Sequence, residues 1–341
     1  MEQIQIDQIK EIYHLLGDDI SKYIFENRLL YSLTEDVKFI RNIACTTKPG
    51  KRLYTYLKSD SRKKVLFGAG EVGGWLLRFY DDIRFECFAD NHQFGSPYKG
   101  LPVINIQELK ERYPKALIII STRKYHQEIV EQLLKEGFKT ENIINLGAEL
   151  EKLMHQQYFD LPQLERRKMD REIFIDGGCY DGSTSKRFIE WNSGKGEVIA
   201  WEPDPDNRKR CKDFFEKNYI HCELISKGLW HEKKELKLTK NGSGSKISDN
   251  GDIVFEADRM DHLIKGEVTF IKLDIEGAEY EAILGAKKII EKYKPKLAIC
   301  VYHKAEDIWK LPWLIHEIDP TYIFYLRHYS LRNLETVLYA L

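Results

Sequence analysis

Apolar residues at the start of the chain recur at mixed three- and four-residue spacings, through Ile4, Ile6, Ile9, Ile12, Leu15 and Leu16. That period predicts helix over residues 3–57, with too little apolar surface to stand alone. From residue 64 the pattern changes. Lys64-Val-Leu-Phe-Gly-Ala-Gly70 reads as a buried strand entering a glycine turn, continued by helix at residues 75–80. Residues 85–90 form a second strand ending in an acid, and 117–121 a fully buried, parallel-type strand. Residues 125–136 read as helix and 143–146 as a last short strand. This alternation predicts a small doubly wound sheet.

A charged helical connector, residues 148–170, leads to a second and larger series of strands. These are expected at residues 173–176, 197–202, 222–229, 269–274, 297–303, 322–329 and 335–340, with helices in most gaps. Only a short turn separates the last two, which fits a hairpin and not a crossover. The expected fold class is α/β, with a mostly parallel second sheet carrying one antiparallel strand. The expected division is a helical segment at 1–60, a small α/β domain at 61–150, a helical linker at 151–170 and a larger domain at 171–341.

The composition adds exclusions. Hydrophobic residues are 43% of the chain and aromatics 12%, as in ordinary globular proteins. Basic and acidic residues balance at 53 and 54, so there is no nucleic-acid footprint. Arg166-Arg-Lys168 with Arg171 is short, interleaved with acids, and reads as a solvated helix face. The six cysteines form no CxxC pair, which indicates neither a zinc site nor a disulfide framework. The first residues lack a signal-peptide pattern, and no apolar run is long enough for a membrane span. A cytoplasmic protein with reduced thiols is expected.

The chemistry concentrates in Phe174-Ile-Asp-Gly-Gly-Cys-Tyr-Asp-Gly182 and Trp201-Glu-Pro203. A strand, a glycine turn and a helix, followed by a strand ending in an acid, is the layout of a nucleotide cleft. Asp176 precedes the glycines, where a pyrophosphate would be repelled and a cationic sulfonium tolerated. Gly182 follows Gly178 by four residues, a departure from GxGxxG. Gly177, Gly178 and Gly182 let backbone approach a ligand. Glu202 is placed to accept hydrogen bonds from ribose hydroxyls. Gly228, leaving the third strand, lies where an adenine ring would pack. The plainer alternative is a helix–strand turn that merely needs glycine.

Residues 171–341 resemble the FkbM-type family of S-adenosylmethionine-dependent methyltransferases. The resemblance rests on Phe174-Ile-Asp-Gly-Gly178 with Gly182, Trp201-Glu-Pro-Asp204 and Phe270-Ile-Lys-Leu-Asp-Ile-Glu-Gly-Ala-Glu279. Pro295-Lys-Leu-Ala-Ile299, Val301-Tyr-His303, Leu326-Arg-His-Tyr329 and Glu335-Thr-Val-Leu-Tyr339 follow in family order. It implies a class I methyltransferase sheet of seven strands, the last antiparallel, and methyl transfer usually to oxygen. It implies S-adenosylmethionine as cofactor, held by Asp176, Gly177, Gly178, Tyr180, Gly182, Glu202, Gly228 and Asp274. Cys179-Tyr180 departs from the family pattern, so Tyr180 could reshape the methionine end of the pocket.

Ligands of open α/β sheets bind beyond the carboxyl ends of the strands, where Asp274, Glu276, His303 and Arg327 are all expected. His303 is the candidate general base, since an imidazole titrates near neutrality. Its plain alternative is a structural histidine. Asp274 is a second catalytic candidate, against a helix-capping alternative. Glu276, Tyr302, Arg327 and His328 are candidate substrate contacts, and Glu279 a supporting or capping residue. Asp274, Glu276 and His303 could also form an oxygen-and-imidazole metal site. Asn241-Gly-Ser-Gly-Ser-Lys246 is either a connector or a substrate lid.

Gly68-Ala-Gly-Glu-Val-Gly73 does satisfy GxGxxG, with Asp90 at a suitable distance. Residues 64–146 resemble the small Rossmann-like domain of sugar-nucleotide-modifying and acyl-transfer proteins, through Ala89-Asp-Asn91, Gly100-Leu-Pro-Val103 and Leu117-Ile-Ile-Ile-Ser-Thr122. This segment is either a nucleotide-sugar module or an empty scaffold that orients the larger domain or pairs two copies as a homodimer. The expected function is S-adenosylmethionine-dependent O-methylation of a sugar or glycan-related hydroxyl. The alternatives are an NAD-dependent oxidoreductase using Gly68–Asp90 and a non-catalytic nucleotide-sugar-binding module.

Overall fold

The computed structural model describes residues 2–239, 246–248 and 250–341. Two compact units are present, one of Glu26–Gln157 with His328–Leu334, the other of Met1–Phe25, Tyr158–Arg327 and Glu335–Leu341. The N-terminal period resolves into helices Glu2–His14, Asp19–Thr34, Val37–Ala44 and Lys48–Ser59.

The first unit holds strands β1 (Lys64–Phe67), β2 (Cys87–Ala89), β3 (Val103–Ile104), β4 (Leu117–Ile120) and β5 (Ile143–Ile144). They form a parallel sheet in the order β3-β2-β1-β4-β5. Val65, Phe67, Ile118, Ile120 and Leu133 make the core beneath one face. β3 and the helix Ile106–Arg112 were not expected from the sequence. The helix is nevertheless announced there: Asn105 and Glu108 form a capping box, each side chain bonding the other's backbone N–H.

The second unit holds β6 (Ile173–Gly177), β7 (Glu197–Trp201), β8 (Cys222–Ile225), β9 (Gly228–Leu229), β10 (Lys234–Thr239), β11 (Lys246–Ile247), β12 (Ile253–Asp258), β13 (Phe270–Leu273), β14 (Lys296–Cys300), β15 (Phe324–His328) and β16 (Thr336–Ala340). Seven of them form one sheet in the order β15-β16-β14-β13-β6-β7-β8. β14, β13, β6, β7 and β8 run parallel, and β16 is antiparallel to β14. The expected mostly parallel sheet with an antiparallel last strand is therefore present. The chain leaves β6 towards β7 and returns to β13 on the opposite side. That reversal opens a crevice beyond the carboxyl ends of β6 and β13.

One strand expectation is corrected. Residues 222–229 are not continuous: β8 stops at Ile225, and Gly228–Leu229 joins a separate four-stranded sheet, β11-β10-β12-β9. Gly228 pairs with Ala257, and a Cβ there would stand 2.4 Å from the Phe255 ring. A larger residue there would require the Phe255 ring to move.

Below the crevice an aromatic cluster binds β6 and β13 to the helix Ser183–Trp191. Phe174 stacks on Phe188 at 4.5 Å and meets Phe270 edge-on at 5.2 Å, all three fully buried. The helix that follows the glycine turn is thereby fixed at its far end. Phe188→Ala is expected to cost about 3–5 kcal/mol, the range for emptying a buried phenylalanine site. Urea unfolding should show a lower midpoint at an unchanged slope; an unmoved midpoint would contradict this role for the cluster.

Candidate active site

The register of β6 against β13 places Lys272 opposite Asp176, both inside the sheet. Lys272 Nζ donates to Asp176 Oδ1 at 2.9 Å, to the Gly177 carbonyl at 3.0 Å and to the Gly178 carbonyl at 2.8 Å. All three ammonium donors are used. Asp176 Oδ2 accepts the Ser185 hydroxyl at 2.7 Å, tying in the next helix. Burial opposes the lysine's charge, but Asp176 and Asp274 overcome it and raise its pKa above the ordinary value. Asp176 was expected to face a cationic cofactor. In the structure its charge is matched by Lys272, and the pair holds the turn in shape.

The glycines have local reasons. Gly178 has φ +77°, and a Cβ there would meet the Asp274 carbonyl at 2.1 Å. Gly182 has φ +80°, with Phe215 at 2.6 Å from such a Cβ. Gly177 sits under Leu229, whose Cδ1 would be 3.1 Å from a Cβ, so Gly228–Leu229 does lie against the turn. Tyr180 also has a positive φ, of 52°. Its hydroxyl accepts from Arg210 at 3.2 Å, so the ring is engaged with the helix Pro205–Lys217. The neighbouring thiols Cys179 and Cys211 are buried and hydrogen-bonded at 3.1 Å, with no disulfide between them.

Gly177 pairs with Trp201, so the next residue, Glu202, stands one strand away from the glycine turn. Its Oε2 accepts the Tyr180 N–H at 3.1 Å and its Oε1 the Asp204 N–H at 3.0 Å. Burial, aided by Asp204, outweighs those bonds and the charge of Lys272, and pushes the carboxyl up to about 7.

On the other side of the crevice Asp274 follows β13. Its Oδ1 accepts the Tyr302 hydroxyl and its Oδ2 the Tyr158 hydroxyl, each at 3.0 Å. Burial would raise its pKa, yet Lys272, His303 and the two tyrosines bring it below the ordinary value. His303, after β14, places Nε2 at 3.4 Å from Asp274 Oδ1 and 3.7 Å from Glu276 Oε2. Nδ1 is 3.0 Å from Glu279 Oε1, an oxygen that also accepts the Ile275 N–H at 2.9 Å. Burial pulls the imidazole down, and Glu279, Asp274 and Glu276 push it up to about 9. The helix Glu279–Gly285 starts at Ala278 without a side-chain cap, so Asp274 is not its capping residue. Asp274, Glu276 and His303 are the group that could hold a cation among the described residues, with one ligand atom each inside 4.8 Å.

Two expected substrate contacts are not brought into this group. Arg327 pairs with Asp18, at 2.6 Å to Oδ2 and 3.2 Å to Oδ1, and also bonds the Leu326 carbonyl. His328 is buried in the other unit, where burial and Arg28 press its imidazole down to about 3, leaving it neutral. Residues 241–245 of the expected lid lie outside the described residues. Lys272, Ser185 and Tyr158 were not singled out from the sequence. A lysine inside a strand otherwise apolar on both sides was the available signal; Tyr158 carried none.

Residues 176–329 match the family model described as Methyltransferase FkbM domain. This segment is an FkbM methyltransferase domain. No curated protein matches the chain. Among solved structures the chain is similar to the methyltransferase FkbM from Methylobacillus flagellatus KT, at 20% identity and a TM-score of 0.52, covering 91% of this chain and 100% of that one. At that identity the likeness speaks for the fold. An rRNA methylase from Streptococcus thermophilus (17% identity, TM-score 0.35, 52% of this chain and 89% of that one) is a weaker match. So is Aeropyrum pernix fibrillarin in complex with S-adenosylmethionine (12%, 0.37, 56% and 74%). Scores that low carry no argument about architecture. No helix among the described residues is long and apolar enough to cross a membrane.

In the FkbM domain, Lys272→Met leaves the Asp176 carboxylate buried and unpaired. A loss of about 3–5 kcal/mol is expected, with much of it recovered in the double variant Asp176→Asn/Lys272→Met. Denaturant unfolding of the three proteins checks this, and an unaffected single variant would refute it. Glu202 gives a pH signature. Its folded pKa, about 7, lies above the ordinary 4.5, so its contribution is full below pH 4.5 and lost as pH rises through 7. Relative to Glu202→Gln, the wild type should lose stability across that window; parallel stability curves would exclude it.

Proposed function

We propose that this FkbM domain transfers a methyl group from S-adenosylmethionine to a hydroxyl oxygen of a sugar or glycan-related molecule. The observation that carries this is the pair of part-exposed carboxylates, Asp274 and Glu276, across the crevice from the glycine turn and Glu202. The turn fits a nucleoside cofactor because adjacent parallel strand ends offer close backbone at Gly177–Gly178 and an acid at Glu202.

Bound S-adenosylmethionine would supply an electrophilic methyl group on a sulfonium. Glu202, when ionised, accepts from ribose hydroxyls, and the Lys272-braced turn holds the cofactor's position. A hydroxyl is a poor nucleophile until its proton is engaged by a base. Asp274 and Glu276 are the groups an entering hydroxyl meets first: their side chains are 25% and 24% exposed, against 4% for His303. The acids accept the hydroxyl's hydrogen bond and aim its lone pair. His303, expected from sequence to be the base, stands behind them as a positioning residue. A neutral acceptor with several hydroxyls suits two carboxylates, whereas a phosphate or carboxylate beside them would be repelled.

Calorimetry should show S-adenosylmethionine binding, weakened at least tenfold by Glu202→Ala. Labelled methyl groups should appear on nucleotide sugars or lipid-linked glycans as alkali-stable ethers. Absence of cofactor binding would remove the methyl-transfer reading of this chain. Label released by alkali as methanol would place the methyl on a carboxyl group and remove the hydroxyl assignment. A nicotinamide-dependent absorbance change with a sugar nucleotide would favour oxidoreduction.

A further inference from the structure

We propose that Asp274, Glu276 and His303 bind one divalent cation at the carboxyl ends of β13 and β14. His303 is the first reason. Its side chain is 4% exposed, and both ring nitrogens are buried without a hydrogen-bond partner, Nε2 on the side of Asp274 and Glu276. Buried polar atoms are normally satisfied, so an orphaned nitrogen aimed between two carboxylates needs a partner. The spacing is the second. Nε2 lies 3.4 Å from Asp274 Oδ1 and 3.7 Å from Glu276 Oε2, too long for good hydrogen bonds. Two ligands each ~2.1 Å from one ion, at roughly right or tetrahedral angles, stand ~3.0–3.4 Å apart, a range that the Asp274 spacing meets and the wider Glu276 spacing reaches by a small turn of that side chain.

The surroundings hold these groups as an ion site requires. Glu279 Oε1 flanks Nδ1 at 3.0 Å, which leaves Nε2 as the ligand atom. A carboxylate behind a ligating histidine fixes its tautomer and ring plane. Tyr302 and Tyr158 each donate to one Asp274 oxygen and set that carboxylate's orientation. Glu276 has φ 56°, a strained conformation for a residue with a Cβ, and its carboxylate faces His303. Two oxygens and one imidazole suit Mn²⁺, Mg²⁺ or Zn²⁺ better than a thiolate-seeking ion. Three protein ligands leave positions for oxygens of the acceptor. That last role rests on the methyl-transfer reading; the binding of the ion does not.

The full-length protein is titrated with Mn²⁺, free ion being followed by electron paramagnetic resonance, and in parallel with Zn²⁺. S-adenosylmethionine binding to the same preparation is measured by calorimetry, and folding by circular dichroism. One bound ion per chain is expected. Glu276→Gln and His303→Gln should each weaken it at least tenfold, with cofactor affinity retained. Glu279→Gln should weaken it too, since it removes only the support behind Nδ1. A folded wild type that binds neither metal overturns the proposal, as do folded Glu276→Gln and His303→Gln proteins that bind as tightly as wild type. Ion binding without cofactor binding would overturn the methyl-transfer reading alone.

Discussion

A single ammonium group organises the crevice. Lys272 reaches across from β13 and spends its three protons on Asp176 and on the carbonyls of Gly177 and Gly178. Left unpaired, either charge would be expensive inside the sheet. Together they cross-link two strands and define the path of the turn between them. Ser185 extends the same network into the following helix. Asp274, two residues after the lysine, feels its charge and gains a lowered pKa. One buried pair thus shapes the glycine-turn side of the crevice and biases the ionisation of the Asp274 side.

The Asp274 side is built by convergence. Asp274, Glu276 and Glu279 follow β13, whereas His303 follows β14, the neighbouring parallel strand. Parallel neighbours end on the same edge, so groups far apart in sequence meet there. Tyr158 enters from outside the sheet and closes the ring around Asp274 with Tyr302. The outcome is a small acidic basin backed by aromatic hydroxyls and floored by an imidazole.

Much of this was legible in the sequence, for reasons of period and edge. Apolar runs bounded by glycine and acid marked the parallel strands, and residues just past those runs had to share one rim. Asp274, Glu276 and His303 were found that way. Arg327 and His328 obey the same rule but fail it: Arg327 is claimed by Asp18, a partner more than three hundred positions away, and His328 is buried with Arg28 nearby. Such distant pairings leave no local trace. In the β9–β12 sheet, β9 and β11 are two residues long and have no measurable period, and the six-residue β10 and β12 were missed among the charged residues around them. The pairing of Asp176 with Lys272 was missed, since Lys272 looked like one polar letter in an apolar run.

Gly178 leaves room for nothing where it passes the Asp274 carbonyl. The two walls of the crevice therefore touch through main chain at that point. Their separation is a fixed gauge and is not adjusted by side-chain rotamers. A displacement of the glycine turn must carry the Asp274 backbone with it, so the domain's tolerance for differently sized ligands has to come from the outer rim. The gap that matters for transfer belongs to the fold itself.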